Sequence, residues 1–293
     1  MTRTNVSIIC IIGIELLFLF CTRPASSQPR LVTGSAFISK DRIYDFGFPS
    51  IKNYDPKTYK GHAQCWGIAQ DLDGRMYFSN TEGILEYDGY SWKLLKLPNG
   101  SMSRMVLQGE DSTMYYSGNG VFGFMDQWPD GSTKLISLSD SLPPGSPSFN
   151  DVWGLAYWND RVFFQSSYYV YIWNTLDRTF QIIPAKKEFK RTYMVNSEVW
   201  IYSIGEGLIR YDGEKFVKLG TNTEPNARAY GVCNYLDGVL ITYDEGLFIY
   251  RNGIFQKLKS DMDEVLPELF VLQAHEVDNK EFVVVTANMD STI

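Results

Sequence analysis

Trp66-Gly67-Ile68-Ala69-Gln70, then Asp73-Gly74, then Met76-Tyr77-Phe78-Ser79, then Gly83-Ile84-Leu85-Glu86-Tyr87-Asp88-Gly89 decide the fold. The end of this stretch returns as Gly207-Leu208-Ile209-Arg210-Tyr211-Asp212-Gly213. It returns again as Gly246-Leu247-Phe248-Ile249-Tyr250, followed by Asn252-Gly253. From Gly83 to Gly246 is 163 residues over four steps, a mean period near 41. Periods of ~40–45 residues are those of propeller blades.

Within each period, short runs rich in β-branched and aromatic residues are separated by turn residues, the pattern of antiparallel strands. The first unit predicts strands at Trp66–Gln70, Met76–Ser79, Ile84–Tyr87 and Ser91–Leu95, with Asp88-Gly89 as a hairpin signal. Four strands in about forty residues make one blade. Further units begin at Arg104, Trp153, Thr192 and Tyr230, and a sixth begins at Leu269. The expected fold is therefore all-β, a propeller of four-stranded antiparallel blades over residues 61–293, with five to six blades present. Five and a half blades do not close a ring comfortably, because an open end exposes a sheet face and edge. One reading is the front of a longer ring, such as a seven-bladed one. The other is a small closed propeller whose last blade is completed by a lead-in strand segment at residues 28–60.

Of 293 residues, 44% are apolar and 15% aromatic, enough for a large core. The formal charge is −7, and an acidic chain without a basic stripe argues against nucleic-acid binding. The basic run Lys186-Lys187-Glu188-Phe189-Lys190-Arg191 reads as a solvated loop.

Arg3, the thirteen-residue run Ile8–Phe20 and Ala25-Ser26-Ser27 match a cleaved secretory signal over residues 1–27. The run is short of the ~20 residues of a membrane span. The expected location is therefore periplasmic or extracellular. Phe18-Leu19-Phe20 makes Cys21 a poor lipidation site. Cys65 and Cys233 occupy the same strand type in different repeats, so two buried thiols are expected rather than a disulfide.

The stretch Gly47-Phe48-Pro49-Ser50-Ile51-Lys52-Asn53-Tyr54, with Tyr59 and Gln64-Cys65-Trp66-Gly67-Ile68-Ala69-Gln70-Asp71, resembles the start of the periplasmic propeller sensors of bacterial two-component regulators. Asp-Gly before the second strand and Gly-Leu-x-x-Tyr in the third resemble the regulator-propeller repeat. The resemblance covers roughly residues 44–290. It implies a sensor propeller followed, in a longer parent, by a triple-tyrosine β-sandwich, a membrane span and a kinase or DNA-binding output. It also implies a homodimer formed through those later modules. The second and third blades depart from the pattern, with Val121 and Val170 in place of Gly-Leu.

Gly118-Asn119-Gly120-Val121-Phe122-Gly123 spells a dinucleotide fingerprint, but the sequence after it is no helix and the glycines fall on a blade turn. Asp71-Leu72-Asp73-Gly74 resembles the opening of a calcium loop yet lacks a twelfth-position Glu, so a β-turn accounts for it. With His62 and His275 as the only histidines, no zinc or triad cluster is expected. No metal or cofactor is therefore expected.

The positional signal is sharper. Trp66, Trp153 and Tyr230 open inner strands and each precedes a glycine, while Arg104 takes that place in the second blade. Inner-strand starts and the turns between second and third strands share one rim. The expected ligand site is thus a mouth lined by Trp66, Asn80, Arg104, Trp153, Tyr168, Glu206, Tyr230 and Asp244. Rings there can stack on sugars or peptide side chains. The plain alternative is that these aromatics only pack between blades. The leading expectation is a non-catalytic ligand-sensing domain for a small molecule or oligosaccharide. A secreted propeller glycosidase or lyase using rim carboxylates, and a protein-interaction scaffold, are the other two.

Overall fold

The computed structural model describes residues 8–10, 52–128, 131–220, 229–243, 245–260, 263, 269–278 and 281–288. The chain forms two compact units, Tyr54–Leu219 and a second made from Gly220–Ile293 with the chain before Tyr54.

The first unit holds four antiparallel sheets, each a simple meander. Numbered after a short strand β1 (Ile8–Cys10) that belongs to the second unit, blade one is β2 (Cys65–Gln70), β3 (Met76–Asn80), β4 (Gly83–Tyr87) and β5 (Trp92–Leu95). Blade two is β6 (Ser103–Gln108), β7 (Met114–Gly118), β8 (Phe122–Gln127) and β9 (Thr133–Ser137). Blade three is β10 (Val152–Trp158), β11 (Arg161–Ser166), β12 (Tyr169–Asn174) and β13 (Thr179–Pro184). Blade four is β14 (Phe189–Val195), β15 (Glu198–Ser203), β16 (Gly207–Tyr211) and β17 (Phe216–Lys218). The inner strand of blade four starts at Phe189, three residues before the expected Thr192.

The second unit holds a fifth blade of β18 (Ala229–Tyr235), β19 (Gly238–Tyr243), β20 (Gly246–Arg251) and β21 (Ile254–Leu258). It also holds an antiparallel pair, β22 (Leu269–Asp278) and β23 (Glu281–Asn288). β1 runs parallel to β23, with Ile8 opposite Phe282. Three residues of the expected signal segment are therefore strand; the rest of it, with Cys21 and Gly47–Ile51, lies outside the described residues.

The repeated Tyr-Asp-Gly is a hairpin device. Tyr87 Oη donates to the Gly89 carbonyl at 2.7 Å, and Asp88 Oδ1 accepts the Tyr90 and Ser91 amides. Blade four repeats this, with Tyr211 Oη on the Gly213 carbonyl and Asp212 Oδ1 accepting the Glu214 and Lys215 amides. Gly89 and Gly213 have φ of +94° and +107°, a conformation that favours glycine. The fifth blade makes the same reversal with Asn252 and Gly253 both at positive φ, as a type I′ turn requires.

The core lies between blades. Tyr77, Ile84, Val106, Met114 and Tyr116 join blades one and two. Phe122 and Phe164, stacked 4.3 Å apart, join blades two and three with Tyr115 and Tyr171. Phe163, Ile172, Val199, Ile201 and Tyr211 join blades three and four. A single blade cannot bury its own faces, so each one is stabilised by its neighbour.

Where the lead-in was expected as strand, Pro56–Tyr59 is a helical turn, α1. Asp55 caps it by accepting the Lys57 amide, and proline sits at its first position, where no amide hydrogen is needed. Tyr54 and Tyr59 then pack on Trp92 at 5.1 and 5.5 Å, covering the outer strands of blade one.

Candidate functional site

Every inner strand carries one extra residue near its start. In blade one Cys65 faces Asn80 and Gly67 faces Ser79, which leaves Trp66 unopposed. The same slip leaves Arg104 unopposed between Ser103 and Met105, Trp153 between Val152 and Gly154, and Lys190 between Phe189 and Arg191. In the second unit it recurs at Tyr230, and the β22–β23 pair has one between Val271 and Gln273. A β-bulge re-aims a side chain and ends regular pairing. The repeat therefore builds, once per blade, a position whose side chain is freed from the sheet.

In the first unit three of these positions meet. The Arg104 guanidinium carbon lies 4.7 Å from the Trp66 ring centre and 4.1 Å from that of Trp153. The two rings stand edge to face, 5.8 Å apart at 76°. Arg104 Nε donates to Asp151 Oδ1 at 2.7 Å. Asp151 is itself held by a backbone bridge to Asn119. Arg104 is 8% exposed, whereas Trp66 and Trp153 are 38% and 39% exposed. The cation is thus enclosed and neutralised, and the unit presents two indole rings. Cation–π contacts of this kind contribute about 0.5–2 kcal/mol each, more as they lose water.

Glycine lets the inner strands approach closely. A methyl group on Gly154 would stand 2.9 Å from Thr192 Cβ and 2.6 Å from Gln165 Oε1. On Gly67 it would find Met105 Sδ at 3.3 Å. Small residues there bring successive bulges together.

The remaining expected residues divide. Asn80 is fully buried and engaged by backbone, donating to the His62 and Gln64 carbonyls and accepting the His62 and Glu82 amides. It pins the chain entering blade one rather than facing a ligand, a correction to its expected place on the rim. Arg104 is corrected likewise, from a ligand contact to the support of the two rings. Tyr168 is 60% exposed in the turn between β11 and β12, beside the chain that enters blade four, since its carbonyl accepts the Ala185 amide. Glu206 is no free rim carboxylate, because it pairs with Lys186 at 2.7 Å and accepts from Ser203 Oγ at 3.3 Å. Tyr230 is half-buried on β18 of the second unit. Asp244 lies outside the described residues.

Lys190 lies outside the expected site because the sequence reading begins the blade-four inner strand at Thr192, whereas the strand begins at Phe189. Trp66 precedes Gly83 by 17 residues, and counting 17 back from Gly207 lands on Lys190. Lys190 Nζ lies 2.6 Å from Glu188 Oε1.

Other motifs resolve into scaffold. Asp71 Oδ1 accepts the Asp73 and Arg75 amides and Oδ2 accepts the Tyr77 hydroxyl, which makes it a turn cap. Burial, with Glu86 and Asp71 nearby, pushes the Tyr77 phenol up to about 12, so it stays a donor at neutral pH. Burial also raises the Cys65 thiol. Neither Cys65 nor Cys233 is in a disulfide. Gly118–Gly123 spans the end of β7, a turn with Gly120 at φ +68°, and the start of β8. Among the described residues no group of three or more His, Cys, Asp or Glu could hold a metal.

No protein-family model matches the chain, and no curated protein matches it. Solved structures do. Virginiamycin B lyase from Staphylococcus aureus is similar at TM-score 0.57 and 10% identity, over 78% of this chain and 79% of that one. The extracellular domain of BT4673 from B. thetaiotaomicron, described as a hybrid two component system, is similar at TM-score 0.58 and 14% identity. That match covers 78% of this chain, which spans about a third (32%) of that domain. YCF48 from Cyanidioschyzon merolae is similar at TM-score 0.52 and 12% identity, over 76% of this chain and 79% of that one. At these identities the likeness establishes the fold, an all-β propeller of four-stranded blades. Among the described residues no helix is long and apolar enough to cross a membrane.

Proposed function

We propose that this propeller is an extracytoplasmic ligand-recognition domain of the sensor type, without chemistry of its own. The observation that carries the reading is the pair of half-exposed indoles, Trp66 and Trp153, braced on a buried and neutralised Arg104. An enzyme would need a reactive group at this place. Here the charged groups are tied to one another, and the exposed chemistry is two ring faces and edges. Such rings suit stacking on sugar faces or on flat side chains, with polar neighbours setting orientation.

The rings come from blades one and three, and the brace comes from blade two between them. A ligand resting on both rings would tie three blades together and rigidify their packing. That is how occupancy would reach an output carried by modules outside this chain, as in the two-component sensors it resembles. The ligand class is a small molecule or an oligosaccharide.

A thermal-shift screen of the protein against a glycan and small-molecule panel tests this reading. A hit should raise the midpoint of the wild type, while Trp66→Ala and Trp153→Ala should each abolish that rise. Hits that shift both variants as much as the wild type would refute the indole platform. Turnover of any hit would refute the non-catalytic reading.

A further inference from the structure

The chain has three Asn-Gly pairs: Asn99-Gly100, Asn119-Gly120 and Asn252-Gly253. This dipeptide can react with itself. The glycine amide nitrogen attacks the carbonyl carbon of the asparagine side chain, and a five-membered succinimide forms as ammonia leaves. Water then opens the ring at either carbonyl, which gives aspartate or isoaspartate. Water is the only other reactant, and nothing is oxidised or reduced. Glycine has no Cβ to crowd the attacking nitrogen. Whether the reaction runs therefore depends on whether the fold leaves the two groups free.

At two pairs the groups are tied. The Gly100 amide donates to the Leu97 carbonyl at 2.8 Å. The Asn99 side chain donates to the Asn119 carbonyl at 2.8 Å and accepts the Ser101 amide at 3.1 Å. The Gly120 amide donates to the Asn150 carbonyl at 2.8 Å. Asn119 is half-buried and bridged to Asp151. Closing a ring at either pair would first break these bonds, and each one lost raises the barrier. The third pair differs. Asn252 and Gly253 are the central residues of the hairpin between β20 and β21, where Arg251 pairs with Ile254. Asn252 is exposed, and a methyl group on Gly253 would meet nothing within 4 Å. Among the described residues neither the Asn252 side chain nor the Gly253 amide makes a hydrogen bond.

We propose that Asn252 is a modification site, at which the fifth blade deamidates spontaneously through a succinimide closed by the Gly253 nitrogen. Isoaspartate runs the main chain through the side-chain carbon and adds one atom to the backbone. The turn holds Asn252 and Gly253 at φ of +51° and +81°, the two-residue geometry of a type I′ hairpin, and the longer backbone cannot keep it. Both products also place a new carboxylate next to Arg251, which is paired with Asp237. Deamidation therefore loosens the β20–β21 hairpin.

The full chain, aged in mildly alkaline buffer with and without urea and then digested for mass spectrometry, tests this. In urea the three pairs should convert at comparable rates, because the fold no longer protects any of them. In the native protein Asn252 should convert about tenfold or more faster than Asn99 or Asn119, the factor that one or two broken hydrogen bonds supply. Fragmentation should find isoaspartate at position 252, and the aged protein should melt below fresh protein. Asn252→Gly keeps the turn but has no side chain to react, so its melting should not change with age. Native conversion of Asn99 or Asn119 as fast as that of Asn252 would overturn the proposal. So would an Asn252 that stays intact over a time in which the urea-unfolded chain converts. Aged protein converted at 252 that melts like fresh protein, or Asn252→Gly protein that loses stability with age as the wild type does, would overturn the effect on the hairpin.

Discussion

Asn80→Ala separates scaffold from site. The Asn80 side chain makes four backbone hydrogen bonds: to the His62 carbonyl at 2.6 Å, to the Gln64 carbonyl at 3.0 Å, and from the His62 and Glu82 amides at 3.0 Å each. At about 1 kcal/mol net per bond, their loss amounts to about 4 kcal/mol. Each kcal/mol moves the midpoint of a domain this size by about 2–4 °C, so the thermal midpoint should fall by on the order of 10 °C. Asn80→Asp is the sharper probe. It keeps the acceptor for the two amides but turns an acceptor toward two carbonyls. Burial and those carbonyls would raise the new carboxyl above its unfolded value, so its protonated form fits best. The deficit of Asn80→Asp relative to wild type should therefore shrink as pH falls and grow as pH rises through the folded pKa. Tryptophan fluorescence during heating reads both variants. A midpoint loss under about 2 °C for Asn80→Ala, coupled to loss of a ligand-induced shift, would refute the argument and return Asn80 to the rim.

Arg104→Gln removes two cation–π contacts and leaves Asp151 without its cation, so urea unfolding should report a loss of about 3 kcal/mol. Arg104→Lys should recover only part of it, because an ammonium lacks the planar face. Gly154→Ala should cost about 1–3 kcal/mol, since the new methyl meets Gln165 and Thr192 at 2.6–2.9 Å; Gly67→Ala, with neighbours at 3.3–3.5 Å, should cost less in the same unfolding assay. The Ser91 amide and hydroxyl and the Tyr90 amide hold the Asp88 carboxyl down to about 2. Its stabilisation is thus complete above the unfolded value of about 3.9 and is lost as pH falls toward 2. The midpoint gap between wild type and Asp88→Asn should close over that acid range.

The repeat's local physics was legible in the sequence. Asp88-Gly89, Asp212-Gly213 and Asn252-Gly253 are hairpins because their turns need an amide acceptor or positive φ, and both are properties of those residues alone. The strands between them follow from short runs rich in β-branched and aromatic residues, so the four-stranded meander and its period of about 41 residues could be read directly. Trp66, Arg104 and Trp153 stood out because they break the repeat. What they do was decided by tertiary structure. The bulges depend on how each inner strand registers with the second strand, an interaction between segments that no local pattern encodes. The enclosure of Arg104 depends on three blades meeting. That contact turned an expected ligand-binding cation into a brace, and burial against the entering chain did the same for Asn80. The bulge at Lys190 likewise depends on the register of β14 against β15.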